Sequence, residues 1–403
     1  MMKVIGLACS LVLFLTACGG GGQQAQLESL PTTLAVDGCT DARMHDSGVI
    51  AYVTVERTCA PGAPFTVYFP TDTGIQSVAF TGLGVEQVVS FGSWERRVTV
   101  VQRGTWRRFP NTEAWNWRDG AGLLAKDGGL YFLSGGNGDD RNAPPDVWFT
   151  NDLVTWTRLV EQAPWMGRHG AGWVVHRGRL YIVSGDFATD AWSSADGTTW
   201  LQHTDTADFG PLYAPNAVSL NDELILYNGM RPDYSGETGV WASGDGSQWQ
   251  RVATVPYQGR ALIHGSAVFQ GRVYVIGGGL KGETDDGDWP VDTTAEFSDI
   301  WSSADGRVWR KEADTLGFAP RTHFSVLGTA QGCYVANGSV GLQRLTTGEV
   351  YFASDCIHFK RVSDPSPMPG VHATSMAEFN GSIVITGGHG SVVGSAVWQY
   401  FPN

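Results

Sequence analysis

The chain has 403 residues, a formal net charge of −13 and a pI near 5.1, and it contains no basic run that would offset the negative charge. Such a chain repels phosphate backbones, which excludes nucleic acid as a partner. The 53 glycines and 16 tryptophans, with almost no helical periodicity, predict an all-β protein.

The first predicted element is a secretory signal peptide over residues 1–17. Lys3 precedes an apolar run over residues 4–17 that is too short to cross a bilayer as a stable helix. The four residues that end at Cys18 read Leu-Thr-Ala-Cys and resemble a bacterial lipobox, which implies cleavage before Cys18 and attachment of lipid to its sulfur. An ordinary signal peptide with an incidental cysteine is the alternative.

A flexible tether follows over residues 18–29, where glycines and then glutamines predominate. In lipoprotein families, a residue other than Asp after the lipidated cysteine implies the outer membrane, and this chain has Gly19 there. We therefore expect a secreted protein that is anchored to the bacterial cell envelope at the outer membrane. The lipid would be its only membrane contact.

Residues 30–96 are predicted to form a small β-sandwich with an immunoglobulin-like outline. Apolar and polar residues alternate there between turns rich in Gly and Pro, which is typical of half-buried strands. The clearest stretches cover residues 49–56, 65–69, 76–80 and 86–91. This domain would act as a spacer between the tether and the rest of the chain.

The cysteines predict two disulfides. Cys9 is lost with the signal peptide and Cys18 carries lipid, so an even number remains for an oxidising compartment. Four cysteines allow three connectivities, and the short spans favour the pairs Cys39–Cys59 and Cys333–Cys356. Each bond would stabilise the fold by about 3 kcal/mol.

A repeated unit fills residues 97–403. Five times, two aromatic residues flank an aspartate at constant spacing: Trp148/Asp152/Trp156, Trp192/Asp196/Trp200, Trp241/Asp245/Trp249, Trp301/Asp305/Trp309 and Tyr351/Asp355/Phe359. Six apolar strands that end in small residues accompany these units and predict a six-bladed β-propeller. Because the aspartate recurs from blade to blade, we interpret it as structural, with its carboxylate accepting hydrogen bonds from its own turn.

The last blade lacks room for an outer strand before the chain ends. Residues 104–109 match the outer strands of other repeats, so we expect this upstream strand to complete the last blade and close the ring. In a rival register, residues 98–109 supply both outer strands and displace residues 396–400.

These repeats resemble kelch repeats over residues 104–403, because the strand, the paired glycines and the two aromatic residues recur together. The resemblance implies a six-bladed kelch-like β-propeller, preceded here by the small β-sandwich domain. The turns at Asp196, Asp245 and Asp305 also resemble the Asp-box turns of sialidases, although Asp and Gly are adjacent in this chain.

Recognition is expected on one face of the propeller. Strands a to d of each blade place the a–b and c–d turns on one face and the variable b–c and d–a loops on the other, and variable loops on a fixed scaffold usually carry function. The candidate ligand-binding residues in these loops are Arg118, Asp119, Arg168, His169, Asp186, Tyr213, Asn228, Arg260, His264, Arg321, His323, His372 and His389.

Two roles are open for these residues. The arginines could clamp a carboxylate bidentately while aromatic residues stack on sugar rings. Alternatively, the Arg and His residues hydrogen-bond to the backbone of neighbouring blades.

We expect no cofactor and no metal. The chain has no zinc signature, no nucleotide-binding glycine loop and no nucleophile elbow. Galactose oxidase shares the kelch propeller and uses a Tyr–Cys cross-link at its copper, but the predicted disulfides leave no thiol for one here. The fourth repeat carries an acidic insertion, which we interpret as a solvated loop although calcium is the alternative. Its acidic residues are Glu283, Asp285, Asp286, Asp288, Asp292, Glu296 and Asp299.

The sequence therefore predicts a monomeric, lipid-anchored propeller that binds a glycan or protein partner without catalysis. The alternative is a carbohydrate-active enzyme, because the arginine-rich channel mouth of a six-bladed kelch form is similar to that of N-acetylneuraminate mutarotases.

Overall fold

A computed structural model describes residues 33–36, 39–46, 48–55, 65–71, 74–109, 115, 117–136, 143–260, 263–281, 293–341, 345–362, 367–390 and 396–402. All regular elements in these ranges are β-strands, which confirms the all-β prediction. Nor do these ranges contain a helix with the length and apolar character needed to cross a bilayer. The predicted signal peptide and tether, with Cys18, lie outside the described residues.

Seven strands come first along the chain: β1 (Thr33–Val36), β2 (Cys39–Asp46), β3 (Ile50–Val55), β4 (Phe65–Thr71), β5 (Gly74–Phe80), β6 (Glu86–Phe91) and β7 (Trp94–Gln102). They form one sheet in the order β5-β4-β1-β2-β3-β7-β6, parallel only where β3 pairs with β7. Phe69 on β4 contacts Phe91 on β6, with ring centroids 5.3 Å apart. The sheet therefore curls so that strands near its two ends pack against each other around one core.

The interior strand β3 is buried on both faces. Because side chains alternate along a strand, Ala51 and Val53 pack in the core of the N-terminal sheet, whereas Ile50 and Tyr52 pack against the propeller. The continuous apolar sequence of β3 follows from these two contacts. The N-terminal sheet and the propeller thus share a hydrophobic interface.

The next strand, β8 (Thr105–Phe109), leads into the propeller. Blade 1 comprises β9 (Gly122–Lys126), β10 (Gly129–Leu133), β11 (Val147–Thr150) and β12 (Thr157–Val160). Blade 2 comprises β13 (Gly172–His176), β14 (Arg179–Val183), β15 (Ala191–Ser194) and β16 (Trp200–Thr204). Blade 3 comprises β17 (Asn216–Leu220), β18 (Glu223–Tyr227), β19 (Gly239–Ser243) and β20 (Gln250–Thr254).

Blade 4 contains β21 (Ile263–Phe269), β22 (Arg272–Ile276), β25 (Ile300–Ser303) and β26 (Trp309–Ala313), with the inserted hairpin of β23 (Gly279–Lys281) and β24 (Thr293–Glu296). Blade 5 contains β28 (Phe324–Thr329), β29 (Gly332–Ala336), β32 (Val350–Ala353) and β33 (Lys360–Arg361). The short strands β27 (Arg321–Thr322), β30 (Ser339–Val340) and β31 (Leu345–Thr346) flank blade 5. Blade 6 contains β34 (Val371–Phe379), β35 (Ser382–Gly390), β36 (Val397–Phe401) and β8.

The ring closes where β8 pairs antiparallel with β36. Trp106 lies opposite Tyr400, and their ring centroids are 4.8 Å apart. Residues 98–102 belong instead to β7 and pair with β3, so the N-terminal sheet continues beyond the boundary at residue 96 that the sequence suggested. The reason is that Val98 and Val100 are buried in the core of that sheet.

The outer hairpin turns confirm the structural interpretation of the repeated aspartates. In blade 2, Oδ1 of Asp196 accepts hydrogen bonds from the backbone amides of Thr198 and Thr199, both at 2.8 Å. The indole of Trp200 donates to the carbonyl of Gly197 at 3.2 Å. Equivalent aspartate-to-amide bonds occur in the turns at Asp152, Asp245, Asp305 and Asp355.

The Cys333–Cys356 disulfide is confirmed and joins the first half of strand β29 to the outer turn of blade 5. Both cysteines are buried. Disulfides are typical of proteins outside the cytoplasm. For the second predicted pair, Cys59 and the side chain of Cys39 lie outside the described residues.

The N-terminal sheet packs against blades 1 and 6 on the propeller face that carries the a–b and c–d turns. Arg97 on β7 binds Asp152 in the outer turn of blade 1 at 2.8 Å, and Asn380 in the a–b turn of blade 6 donates to the carbonyl of Ile50 at 3.3 Å. The face with the b–c and d–a loops is therefore directed away from the N-terminal sheet.

Candidate functional site

Within the described residues, five of the six blades present a pair of neighbouring residues at the channel mouth on the b–c and d–a face. One member lies in the d–a loop, and the other follows the glycine that ends strand b. Backbone pairing or a side-chain hydrogen bond joins the members as Asp119–Gly136, His169–Asp186, Tyr213–Met230, Thr322–Ser339 and His372–His389. The two sequence segments of each blade thus converge on one ring of positions.

Backbone hydrogen bonds between blades fix this ring. The amide of Gly170 donates to Gly120, the amide of Gly120 to Ala373, and the amide of Ala373 to His323, at 2.8, 3.0 and 2.6 Å. All four residues have positive φ, a conformation that turns the d–a loop sharply at the mouth. The side chains on the neighbouring positions are held close together as a result.

The first group at the mouth is the His–Asp cluster, defined as Asp119, His372 and His389. Each residue offers one ligand atom such that these atoms lie within 4.8 Å of one another. Nε2 of His372 is 3.8 Å from Oδ2 of Asp119. The His389 ring stacks on Trp117, with centroids 4.4 Å apart and an interplanar angle of 11°, and His323 packs edge-on to His372 at 5.3 Å.

The second group is the Tyr–His–Asp chain, defined as Tyr213, His169 and Asp186. Nδ1 of His169 is 2.8 Å from Oδ1 of Asp186, and its Nε2 is 2.9 Å from the Tyr213 hydroxyl. When the imidazole is neutral, a carboxylate at Nδ1 favours a proton on that nitrogen, and Nε2 then accepts from the phenol. Phe187 packs against the Tyr213 ring at 5.9 Å.

The two groups adjoin across Gly136. A Cβ built on this glycine would lie 3.6 Å from both the Asp119 and the His169 Cβ atoms. Gly136 therefore lies directly between two ionisable clusters that have aromatic rings at their outer ends. This glycine marks the centre of the candidate site.

The four predicted clamp arginines do not face the mouth. Arg118, Arg168, Arg260 and Arg321 are buried, and each binds an acid that precedes strand c of its own blade. The nitrogen–oxygen distances are 2.7 Å for Arg118–Asp146, 2.5 Å for Arg168–Asp190, 2.6 Å for Arg260–Asp299 and 3.0 Å for Arg321–Glu349. These four arginines therefore stabilise the blades, and the prediction that they line the ligand-binding face is wrong.

The pKa values of these acids reflect the pairing. Burial alone would raise the pKa of Asp190, but hydrogen bonding to the Arg168 guanidinium and its charge leave that pKa below its ordinary value. Asp146 is buried more deeply, and there burial outweighs the charge of Arg118 and raises the pKa. Both acids interact with a guanidinium, so neither is a free base at the mouth.

Two further predicted residues lie elsewhere. Asn228 is buried, donates to Asn216 at 3.1 Å and accepts from the Tyr257 hydroxyl at 3.3 Å. The side chain of His264 lies outside the described residues. In the acidic insertion of blade 4, Glu296 accepts from the Gly341 amide at 2.9 Å and Asp299 pairs with Arg260, whereas residues 282–292 are outside the described part.

A channel of about 370 Å³ runs behind the mouth between the inner strands. Ala121 and Ala171, which directly follow the ring residues Gly120 and Gly170, line its upper end. Valine, leucine and alanine side chains form about half of the remaining wall, and its polar members are Asn216, Ser219, Ser266, Ser375 and Glu378. The channel is thus mainly apolar with a few polar side chains, a composition typical of ligand pockets.

The sequence analysis missed several residues of the mouth. Gly136, Phe187 and Met230 were not predicted from the sequence. Gly136 and Met230 directly follow the glycine that ends strand b, and Phe187 is the second residue after it. Alignment of the six repeats on that glycine would have identified these positions. The contact of Asp119 with the two histidines has no such signal, because it depends on closure of the ring.

Fold and site together define an all-β propeller with two ionisable clusters at one mouth of its channel. No protein-family model matches the chain, and no curated protein matches it in sequence. Among solved structures, the structure of YjhT is similar, with a TM-score of 0.54 and 14% sequence identity. The match covers 72% of this chain and 95% of YjhT. At this identity, the likeness shows a shared β-propeller fold and nothing further.

Proposed function

We propose that this protein binds a neutral glycan at the channel mouth, as a monomeric, lipid-anchored protein of the cell envelope. The observation that carries the proposal is the position of two polar clusters on either side of Gly136. Sugar hydroxyls both donate and accept hydrogen bonds, so they suit carboxylates and imidazoles side by side, and aromatic rings such as Trp117 offer stacking surfaces.

A neutral ligand is preferred over an acidic one for an electrostatic reason. Asp119 and Asp186 bring two carboxylates to the mouth, and the arginines that would have bound an acidic sugar are buried in ion pairs. The orientation also supports the proposal, because the N-terminal sheet packs on the opposite face and leaves the mouth directed away from that sheet.

The test is a glycan array probed with the full chain in detergent, with calorimetry on the strongest neutral ligand. We expect Asp119→Asn to weaken its affinity at least about tenfold, since charge-assisted hydrogen bonds to hydroxyls contribute about 1.5–3 kcal/mol. Asp222→Asn is the matched control, because Asp222 is exposed and pairs with Arg177 in an a–b turn. Equal affinity of both variants, or selective binding of sialylated glycans, would refute the proposal.

A second candidate is a sugar mutarotase, which the Tyr–His–Asp chain favours. Ring opening and reclosure of a sugar need a proton donor and a proton acceptor, and His169 lies between a phenol and a carboxylate. NMR exchange between the anomers of glucose and of N-acetylneuraminate would test this candidate. If the protein is a mutarotase, it should accelerate anomer exchange relative to buffer, and Tyr213→Phe should reduce that acceleration. Anomer exchange at the rate of buffer alone would exclude this candidate.

A further inference from the structure

The closure of the ring brings together three potential metal ligands that lie far apart in the sequence. Asp119 lies in the d–a loop of blade 1, while His372 on β34 and His389 on β35 are register partners in blade 6. Their donor atoms lie within 4.8 Å of one another. The three side chains therefore converge at the junction of the first and last blades.

The backbone beside each ligand is held in place. The amide of Gly388, which precedes His389, donates to the carbonyl of Arg118, which precedes Asp119, at 2.6 Å. Asp119 also exchanges two backbone hydrogen bonds with Gly136, at 2.9 and 2.7 Å. These bonds fix the distance between the two loops, so only side-chain rotation is needed to change the separation of the donors.

The orientation of His389 is restricted as well. Its ring stacks on Trp117 and packs against His372, with ring centroids 5.2 Å apart. A ring fixed on both sides loses less conformational freedom when it binds an ion. Such preorganisation distinguishes this cluster from a mobile surface histidine.

The donor set fits a divalent transition-metal ion. Two imidazoles and one carboxylate suit Zn²⁺ and its first-row neighbours, whereas Ca²⁺ and Mg²⁺ take oxygen ligands. Ligand bonds of about 2.0–2.2 Å in tetrahedral geometry place donor atoms about 3.3–3.6 Å apart. The 3.8 Å between His372 Nε2 and Asp119 Oδ2 is close to that range, so small side-chain rotations would complete the site.

We propose that Asp119, His372 and His389 bind one divalent first-row transition-metal ion, with Zn²⁺ as the representative. Three protein ligands leave a coordination position open toward the mouth, as in zinc sites that also bind water or substrate. The site stands independently of glycan binding, because it needs no sugar and its occupancy is measured directly.

The experiment titrates Co²⁺ and Zn²⁺ into the untagged full chain in detergent, after chelator treatment and dialysis. We expect one equivalent of Co²⁺ to produce visible absorption of a low-coordinate site, and Zn²⁺ to displace it. Zn²⁺ should also raise the midpoint of thermal unfolding, since a ligand that binds the folded state stabilises it.

Three variants and one control test the assignment. Asp119→Asn, His372→Gln and His389→Gln should each weaken Zn²⁺ binding at least about tenfold and abolish the thermal shift. Circular dichroism would verify that each remains folded, and Asp119→Asn is the least disruptive. His358→Gln is the control, because His358 is exposed and contacts Asp355 in the outer turn of blade 5.

Absence of cobalt absorption in the wild type would overturn the proposal. So would Zn²⁺ affinity that is unchanged in all three folded variants, or that falls equally in His358→Gln.

Discussion

Single aspartates stabilise the outer turns of the blades through their own backbone. Asp196 shows the arrangement most clearly, because one carboxylate oxygen accepts two amide hydrogen bonds at 2.8 Å each. The hydrogen bond from the Thr199 amide, followed by those from Thr198, lowers the pKa of Asp196 below its ordinary value. The carboxylate is therefore bound more strongly than the neutral acid, and the turn is most stable when Asp196 is ionised.

The first prediction concerns the pH dependence of this turn. A carboxyl group whose pKa is lowered by folding stabilises the protein above its unfolded pKa of about 3.9, and that contribution is lost as the pH falls through the folded pKa. Asp196→Ala should reduce the free energy of unfolding by about 1 kcal/mol at neutral pH, and the difference from wild type should narrow below about pH 4.

Urea unfolding at neutral and acidic pH would measure both quantities. Asp208→Ala serves as the control, since Asp208 is an exposed aspartate in the loop that follows blade 2. A difference that widens in acid, or an equal loss in the control, would contradict the argument.

Each of the four buried arginines connects two loops of its own blade. Arg168 connects the d–a loop to the start of strand c through Asp190 at 2.5 Å, and it also donates to the carbonyls of Met166 and Ser184. Equivalent pairs in blades 1, 4 and 5 join the same two loops. These contacts make the loops at the mouth a rigid part of the sheet.

The second prediction is a large loss of stability in Arg168→Ala. The variant leaves the Asp190 carboxylate half-buried without its guanidinium, and breaking such a pair costs about 3–5 kcal/mol. Arg177→Ala is the matched control, because the side chains of the Arg177–Asp222 pair are 49% and 70% exposed, and solvent screening leaves such a pair little effect on stability. Chemical unfolding followed by tryptophan fluorescence would compare the free energies of unfolding of the two variants. Similar losses of stability would show that Arg168 does not stabilise the blade more than an exposed arginine does.

The repeats predicted the blades, but they did not predict which acidic residues pair with the buried arginines. The acids lie 22 residues beyond Arg168 and 39 residues beyond Arg260, across loops of variable length. Constant spacing within a hairpin is visible in a sequence, whereas a contact across a variable loop is not. The mouth residues were recognised individually for the same reason, without their mutual contacts.

The N-terminal sheet and the propeller share one hydrophobic core. Tyr52 is 2% exposed, and its ring lies 5.1 Å from that of Phe401 at the end of β36. Ile50 and Val101 pack into the same cluster as Phe109 and Phe379. The two parts are therefore expected to unfold together.

The third prediction is that Tyr52→Ala uncouples the two parts. Removal of a buried aromatic side chain costs about 3–5 kcal/mol, and here the loss falls on the interface. Calorimetry should show one endotherm for the wild type and two for the variant. Val88→Ala on β6, where the side chain is 61% exposed, should retain the single endotherm. Two endotherms in the wild type would show that the shared core does not couple unfolding.

The number of blades and the all-β class followed from the repeat, since every copy reports the same local structure. The His–Asp cluster did not, because Asp119 and His372 become neighbours only when β8 pairs with β36. The docking of β3 against the propeller was also hidden, as an apolar strand does not identify its partner.

The short link between β7 and β8 has a mechanical consequence. β8 is the closing strand of the ring, and only Arg103 and Gly104 separate it from the last strand of the N-terminal sheet. A pull on the N-terminal end of the chain would thus load the seam between β8 and β36, while the apolar contacts around Tyr52 carry part of the force. The hydrogen bonds between β8 and β36 would then have to resist shear as well as close the ring.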